Sequence, residues 1–135
     1  MPSSVEIAWR GEIGSEELER LHAAGFERAE VPFDWRGQLE RHSLGWVTAR
    51  ADDGALVGFV NVAWDGGVHA FLLDTLVDAA WRRQSLATRI VKTAEVGARA
   101  AGCEWLHVDF EPHLADFYLD ACGFTATPAG VIDLT

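Results

Sequence analysis

Hydrophobic and polar positions alternate with two different periods along this chain, and the switches between them predict the element order. Val5-Glu6-Ile7-Ala8-Trp9 alternates apolar and polar residues and reads as a half-buried strand. Ser15 follows as a helix N-cap, with Glu16, Glu17 and Glu19 in the first turn, where the helix dipole favours acids. Leu18, Leu21 and His22 supply the inner face, and Gly25 ends the helix. After a loop through Pro32, Asp34 caps a second short helix from Trp35 to His42.

Three strands come next. Trp46–Arg50 and Leu56–Trp64 are joined by the turn signal Asp52-Asp53-Gly54, and Asp65-Gly66-Gly67 leads into Val68–Val77. The third strand is almost continuously apolar, which predicts a central strand covered on both faces. The longest helix is expected from Ser85 to Ala101. Leu86, Ile90, Ala94 and Ala98 form its inner stripe, Arg89, Lys92, Glu95 and Arg99 face outward, and Gly102 stops it. Glu104–Phe110 reads as a strand, Leu114–Ala121 as a short helix stopped by Gly123, and Phe124–Leu134 as the last strand material. These elements make an α+β fold, a mixed and mostly antiparallel sheet flanked by helices.

The chain has 135 residues, 49% of them hydrophobic, with no repeat, linker or low-complexity tract, so one domain over residues 1–135 is expected. No apolar run is long enough to span a bilayer, and the first residues lack the basic and apolar parts of a signal peptide. A cytoplasmic protein without membrane attachment is expected. Cys103 and Cys122 read as two buried thiols and not as a disulfide or a zinc pair. The formal net charge is −10, from 21 acids against 11 bases, which argues against nucleic-acid partners and favours cationic small molecules.

Two segments carry candidate chemistry. The first is Leu76-Val77-Asp78-Ala79-Ala80-Trp81-Arg82-Arg83-Gln84-Ser85-Leu86-Ala87, a strand running through a basic turn into a helix. Free amides at a helix start bind anions, small residues at Ser85 and Ala87 allow close approach, and Arg82 and Arg83 add charge-assisted bonds. The competing reading is an ordinary helix start with solvated arginines. The second segment is Ala115-Asp116-Phe117-Tyr118-Leu119-Asp120-Ala121-Cys122-Gly123-Phe124, in which spacing alone makes Tyr118 a core aromatic. His69, His107 and His113 show no helical ligand pair, so no metal site is expected.

Together these segments resemble the GNAT superfamily of N-acetyltransferases. The family's Arg/Gln-x-x-Gly-x-Gly/Ala signature appears as Arg82-Arg83-Gln84-Ser85-Leu86-Ala87, and its later aromatic pattern as Phe117-Tyr118 followed by Gly123-Phe124. The element order agrees over nearly the whole chain. Two departures stand out: Ser85 where the family usually has glycine, and His113 where many members have a cofactor-binding asparagine.

The resemblance implies an acyl-CoA N-acyltransferase fold and an acetyl-CoA-dependent N-acetyltransferase without a metal. It implies that Arg82, Arg83, Gln84, Ser85, Leu86, Ala87 and Thr88 receive the pyrophosphate of acetyl-CoA, with His113 and Asp116 as further contacts. Leu76 and Val77 would pair with the pantetheine arm where the sheet splays, and an amide at or near Val77 would polarise the carbonyl. An acceptor amine would attack directly, Tyr118 would protonate the leaving thiolate, and Asp74, Glu104 or Asp109, or a water, would take the amine proton. Phe26, Glu27, Glu30, Phe33, Asp34 and Trp35 would shape a pocket for a cationic or aromatic amine. The acceptor itself is left open, from small molecule to peptide, and so is a homodimer. The alternative is a catalytically silent acyl-CoA-binding or interaction domain of the same fold.

Overall fold

The computed structural model describes residues 4–82 and 85–135. Among the described residues, five strands form one sheet in the order β1-β2-β3-β4-β5. They are β1 (Val5–Trp9), β2 (Ser43–Ala51), β3 (Leu56–Trp64), β4 (His69–Val77) and β5 (Trp105–Val108). The first four are antiparallel neighbours, whereas β5 runs parallel to β4. A parallel pair needs a crossover, and helix α3 (Leu86–Ala100) supplies it. The expected α+β fold, a mixed sheet flanked by helices, is thus present.

Helix α3 covers one sheet face. Ile90, Val91, Ala94 and Ala98 pack there on Val47, Ala49, Val60, Val62, Ala70 and Leu72, all buried. Its Gly97 lets the Trp9 ring lie against the helix, since a Cβ there would stand 2.6 Å from the indole. The other face is covered by α1 (Ser15–Gly25) and α2 (Trp35–His42), through Leu18, Leu21, Trp35 and Leu39 on Trp46, Phe59 and Leu76.

The boundaries of α2 and β3 are those the pattern predicts, with Asp34 capping α2 by accepting from Gly37 N–H at 3.0 Å. The α1 cap lies one residue earlier than expected, at Gly14, whose N–H donates to Glu17 at 2.9 Å. Three expectations fail. First, β4 is interior to the sheet but open on one face: Phe71 is 39% and Leu73 44% exposed, because α1 reaches only its other end, at Asp74 and Leu76. Second, Phe124–Leu134 forms no strand; Val131, Ile132 and Leu134 are exposed, and a strand needs a neighbour to bond. Third, Glu19 lies beyond the first turn of α1, whose acids are Glu16 and Glu17, and is 4% exposed.

The segment expected as one short helix is a 3-10 turn (Pro112–Leu114) followed by a π-helical segment (Asp116–Ala121). Both cysteines are free, Cys122 buried and Cys103 half-buried, so only one of the two expected buried thiols is found. Among the described residues no helix is long and apolar enough to cross a membrane.

Candidate active site

The site begins where β4 stops pairing with β5. The β4–β5 register runs only from His69↔Trp105 to Leu72↔Val108, while β4 stays bonded to β3 as far as Val77. From Leu73 to Val77 one edge of β4 is therefore free of strand partners, and the sheet is open between the two strands. Just above the start of this opening lies a bulge. Phe59 pairs with Leu76 and Asn61 with Leu73, so Val60 stands opposite both Asp74 and Thr75. Asp74 takes φ +58°, a left-handed conformation rare for residues other than glycine.

The bulge aims consecutive side chains at different parts of the molecule. Thr75 Oγ1 accepts from the Tyr118 hydroxyl at 3.1 Å. Asp74 Oδ1 accepts from His22 Nε2 on α1 at 3.3 Å. Tyr118 is buried, stacked on Phe110 with ring centroids 5.0 Å apart and edge-on to Phe117 at 4.8 Å. Its place depends on the π-helical segment, where Cys122 N–H reaches back to Phe117 C=O at 2.9 Å and Phe124 N–H to Tyr118 C=O at 3.0 Å. Burial pushes the Tyr118 phenol above its ordinary pKa, against the smaller opposing effect of the Thr75 contact, so the hydroxyl keeps its proton.

A cavity of about 340 Å³ is lined by Ser15, Glu16, Glu19, Arg20, Glu30, Val31, Pro32 and Phe33. A second, of about 220 Å³, is lined by Val77, Trp81, Arg82, Ser85, Leu86, Ala87, Thr88 and Phe117. This second cavity joins the free edge of β4 to the start of α3. Ser85, the α3 N-cap, has φ +58° and gives no side-chain cap. The first helical bond runs from Arg89 N–H to Ser85 C=O at 3.2 Å, which leaves the amides of Leu86, Ala87 and Thr88 directed into the turn. Arg82 is exposed and its Nε donates to Val77 C=O at 3.4 Å. An amide-rich turn with an arginine at its rim and an apolar flank of Trp81 and Phe117 fits a diphosphate joined to a less polar chain.

Seven expected cofactor residues fall in or beside this cavity: Val77, Arg82, Ser85, Leu86, Ala87 and Thr88 line it, and Leu76, buried, sits next to Val77. Arg83 and Gln84 lie outside the described residues. His113 and Asp116 are exposed and do not line it. Trp81 was missed, although its position between the strand and the two arginines is a readable signal. Of the expected bases, Asp74 stands at the bulge and Asp109 just past the end of β5. Glu104 does not join them: its N–H bonds Val68 C=O, at the opposite end of β4.

The expected acceptor residues divide. Glu30 and Phe33 line the first cavity, Phe26 stacks on His22 at 4.5 Å, Asp34 is used as the α2 cap, and Trp35 is 9% exposed and donates through Nε1 to Glu19 at 3.0 Å. His69 and His107, which show no pairing in the sequence, meet across β4 and β5 with Nδ1 and Nε2 2.9 Å apart.

The chain superposes on an acetyltransferase of Trypanosoma brucei with a TM-score of 0.78 at 19% identity, covering 97% of this chain and 100% of that one. An aminoglycoside N-acetyltransferase in complex with CoA gives a TM-score of 0.76 at 18% identity, covering 100% and 97%. Glucosamine-6-phosphate N-acetyltransferase from Arabidopsis thaliana gives 0.78 at 16% identity, covering 96% and 97%. No curated protein matches the sequence. A model of the acetyltransferase (GNAT) family matches residues 8–124, a span that includes the bulge, the amide-rich turn and the π-helical tyrosine, and the chain belongs to that family.

Proposed function

We propose that this acetyltransferase moves the acetyl group of acetyl-CoA to the primary amine of a small cationic or aromatic acceptor by direct attack. The observation that carries the reading is the opening of the sheet beyond Leu72↔Val108, with the amide-rich turn at one end and the Tyr118 hydroxyl within it. The structural neighbours include enzymes whose acceptors are aminoglycosides and glucosamine-6-phosphate, and one was solved with CoA.

In this reading the amides of Leu86–Thr88 and the Arg82 guanidinium hold the pyrophosphate. The free edge of β4 near Leu76 and Val77 bonds the pantetheine amides, and a β4 amide polarises the thioester carbonyl. The acceptor nitrogen forms the new C–N bond as its proton leaves to Asp74, which stands at the bulge with its side chain 27% exposed. The C–S bond then breaks, and Tyr118 donates toward the departing thiolate. A thiol titrates near about 8.5 and tyrosine near about 10, and burial widens that gap. Tyr118 therefore acts first as a hydrogen-bond donor that stabilises the thiolate, with full transfer completed as solvent enters. Glu30 and Phe33, with the overall charge of −10, favour a cationic acceptor.

The test is acetyl-CoA-dependent thiol release across amine classes. Tyr118→Phe is expected to lower kcat by about 10²-fold while leaving the KM for acetyl-CoA within about twofold. Arg82→Ala is expected to raise that KM by about tenfold through loss of a charge-assisted bond. CoA binding by calorimetry without turnover for any amine would instead establish a silent acyl-CoA-binding domain.

A further inference from the structure

His22 is the half-buried histidine of α1, and nothing in the chemistry above uses it. Its ring is fixed on every side. Phe26 stacks on it at 4.5 Å and Trp35 leans on it at 4.7 Å. Its Nδ1 lies 2.9 Å from Arg28 Nη2, and its Nε2 lies 3.3 Å from Asp74 Oδ1. A guanidinium can only donate, so Nδ1 must be the acceptor. The proton of the neutral ring is then on Nε2, and Nε2–H donates to Asp74. Arg28 is itself held by Glu19, with its two terminal nitrogens 2.6 and 2.8 Å from the two carboxylate oxygens. Glu19 also accepts from Val31 N–H at 2.8 Å and Trp35 Nε1–H at 3.0 Å.

A continuous chain of hydrogen bonds thus runs Glu19–Arg28–His22–Asp74, from a buried carboxylate on α1 to the left-handed bulge of β4. The charged groups facing the ring are Arg28 from the loop after α1 and Asp74 from β4, with Glu19 of α1 behind Arg28; α2 presents only the uncharged Trp35. His22 cannot itself take the amine proton, because its one lone pair already accepts from a cation. The side chain of Asp74 keeps more access to solvent than His22, 27% against 14%. Among the described residues no donor reaches Asp74 Oδ2.

We propose that His22 is a positioning residue: locked in its Nε2–H form by Arg28, it holds Asp74 Oδ1 so that Oδ2 receives the proton of the attacking amine. This rests on the acetyl-transfer reading above. The proton passes from the amine nitrogen to Oδ2 as the C–N bond forms, then from Asp74 to water, so the dyad is restored each turn. The arrangement also explains why a non-glycine residue is kept at φ +58° there: only the bulge turns this carboxylate toward α1.

Three variants in the full chain test it, each with its thermal midpoint recorded. His22→Phe keeps the aromatic packing and removes the donor. It should lower kcat by about 10- to 100-fold, move the acid limb of kcat/KM for the amine to higher pH, and leave the KM for acetyl-CoA unchanged. His22→Gln can still accept from Arg28 and donate to Asp74, and should restore most of the loss. Asp74→Asn should remove the acid limb. A His22→Phe protein that folds and keeps the native pH profile overturns the proposal, as does a loss that His22→Gln fails to rescue. Imidazole 15N spectra give a readout independent of turnover: the Nε2–H form is expected, and an Nδ1–H ring or a rapidly exchanging one overturns the proposal. If the native protein releases no thiol with any amine, the acetyl-transfer reading fails, and the spectra still decide the hydrogen-bond chain.

Discussion

Ser85 and Asp74 share one backbone feature, φ +58°, and both border the proposed thioester slot. An L-residue in that region costs about 1–2 kcal/mol relative to ordinary helical geometry. At Ser85 the conformation is what opens the α3 amides into the turn, so the side chain there is tolerated and not required. Ser85→Gly should leave thermal stability within about 1 kcal/mol, since relief of the strained φ offsets the added freedom of the unfolded chain. Ser85→Val should cost about 2 kcal/mol, because a β-branched side chain fits the left-handed region worst. Denaturant midpoints for the pair decide this, and equal stability of the two variants would show that the turn relaxes to ordinary φ.

The sequence pointed to Ser85 as a small residue at a helix start and, through the resemblance, as a glycine position; the positive φ is the physical reason behind the pattern. Tyr118 was legible in the same way, while on spacing alone it was a core aromatic; in the structure it is buried, with its hydroxyl bonded to Thr75 beside the opening of the sheet. Asp74 was named only as one of several bases that the resemblance implies. His22 was not legible as a functional residue: its period placed it correctly on the inner face of α1, and the partners that give it meaning lie 6 and 52 positions away.

Among the elements, strong periodicity with clear caps fixed boundaries well, as in α2 between Asp34 and His42 and in β3 between its two turns. Failure came where burial depends on a neighbour that no local pattern reports. β4 carries the apolar run of a doubly covered strand, yet Phe71 and Leu73 face an uncovered part of the sheet. Glu19 shows the opposite error. The sequence places it among first-turn acids that favour the helix dipole, and instead it is buried beyond that turn and ties α1 to the Arg28–Trp35 segment with hydrogen bonds from three residues.

Those donors, Arg28 first, hold the Glu19 carboxyl far below the usual glutamate range. The folded state thus binds this proton more weakly than the unfolded chain, where the group titrates near about 4.3. The resulting stabilisation is fully present above that value and is lost as pH falls toward the folded-state pKa. Urea midpoints should therefore separate the native protein from Glu19→Gln most at pH 7, with the difference narrowing steadily below about pH 4.5. A difference independent of pH would mean that Glu19 acts by packing and not by charge.

For the molecule as a whole, the net charge of −10 coexists with a local cluster of bases at one end of α3, Arg82, Arg89 and Lys92 among the described residues. In the acetyl-CoA reading proposed above, an acidic body repels the polyanionic cofactor at long range, so close contacts at the amide-rich turn would provide that binding, and the field would act on the second substrate. The cavity bearing Glu16, Glu19 and Glu30 lies on the α1 side of the sheet, the side to which Asp74 is turned. Glu19 is neutralised by Arg28, whereas Glu16 and Glu30 form no ion pair among the described residues, so their charge stays available to an approaching cation. Screening acts over about 8 Å at physiological ionic strength and about 30 Å at 0.01 M. Raising salt from about 20 to 200 mM should then lower kcat/KM several-fold for a dicationic amine acceptor and leave it within about twofold for an aromatic amine that is neutral at the assay pH. Equal salt dependence for the two acceptors would show that the acidic surface serves solubility alone and that the acceptor is chosen by shape within the cavity.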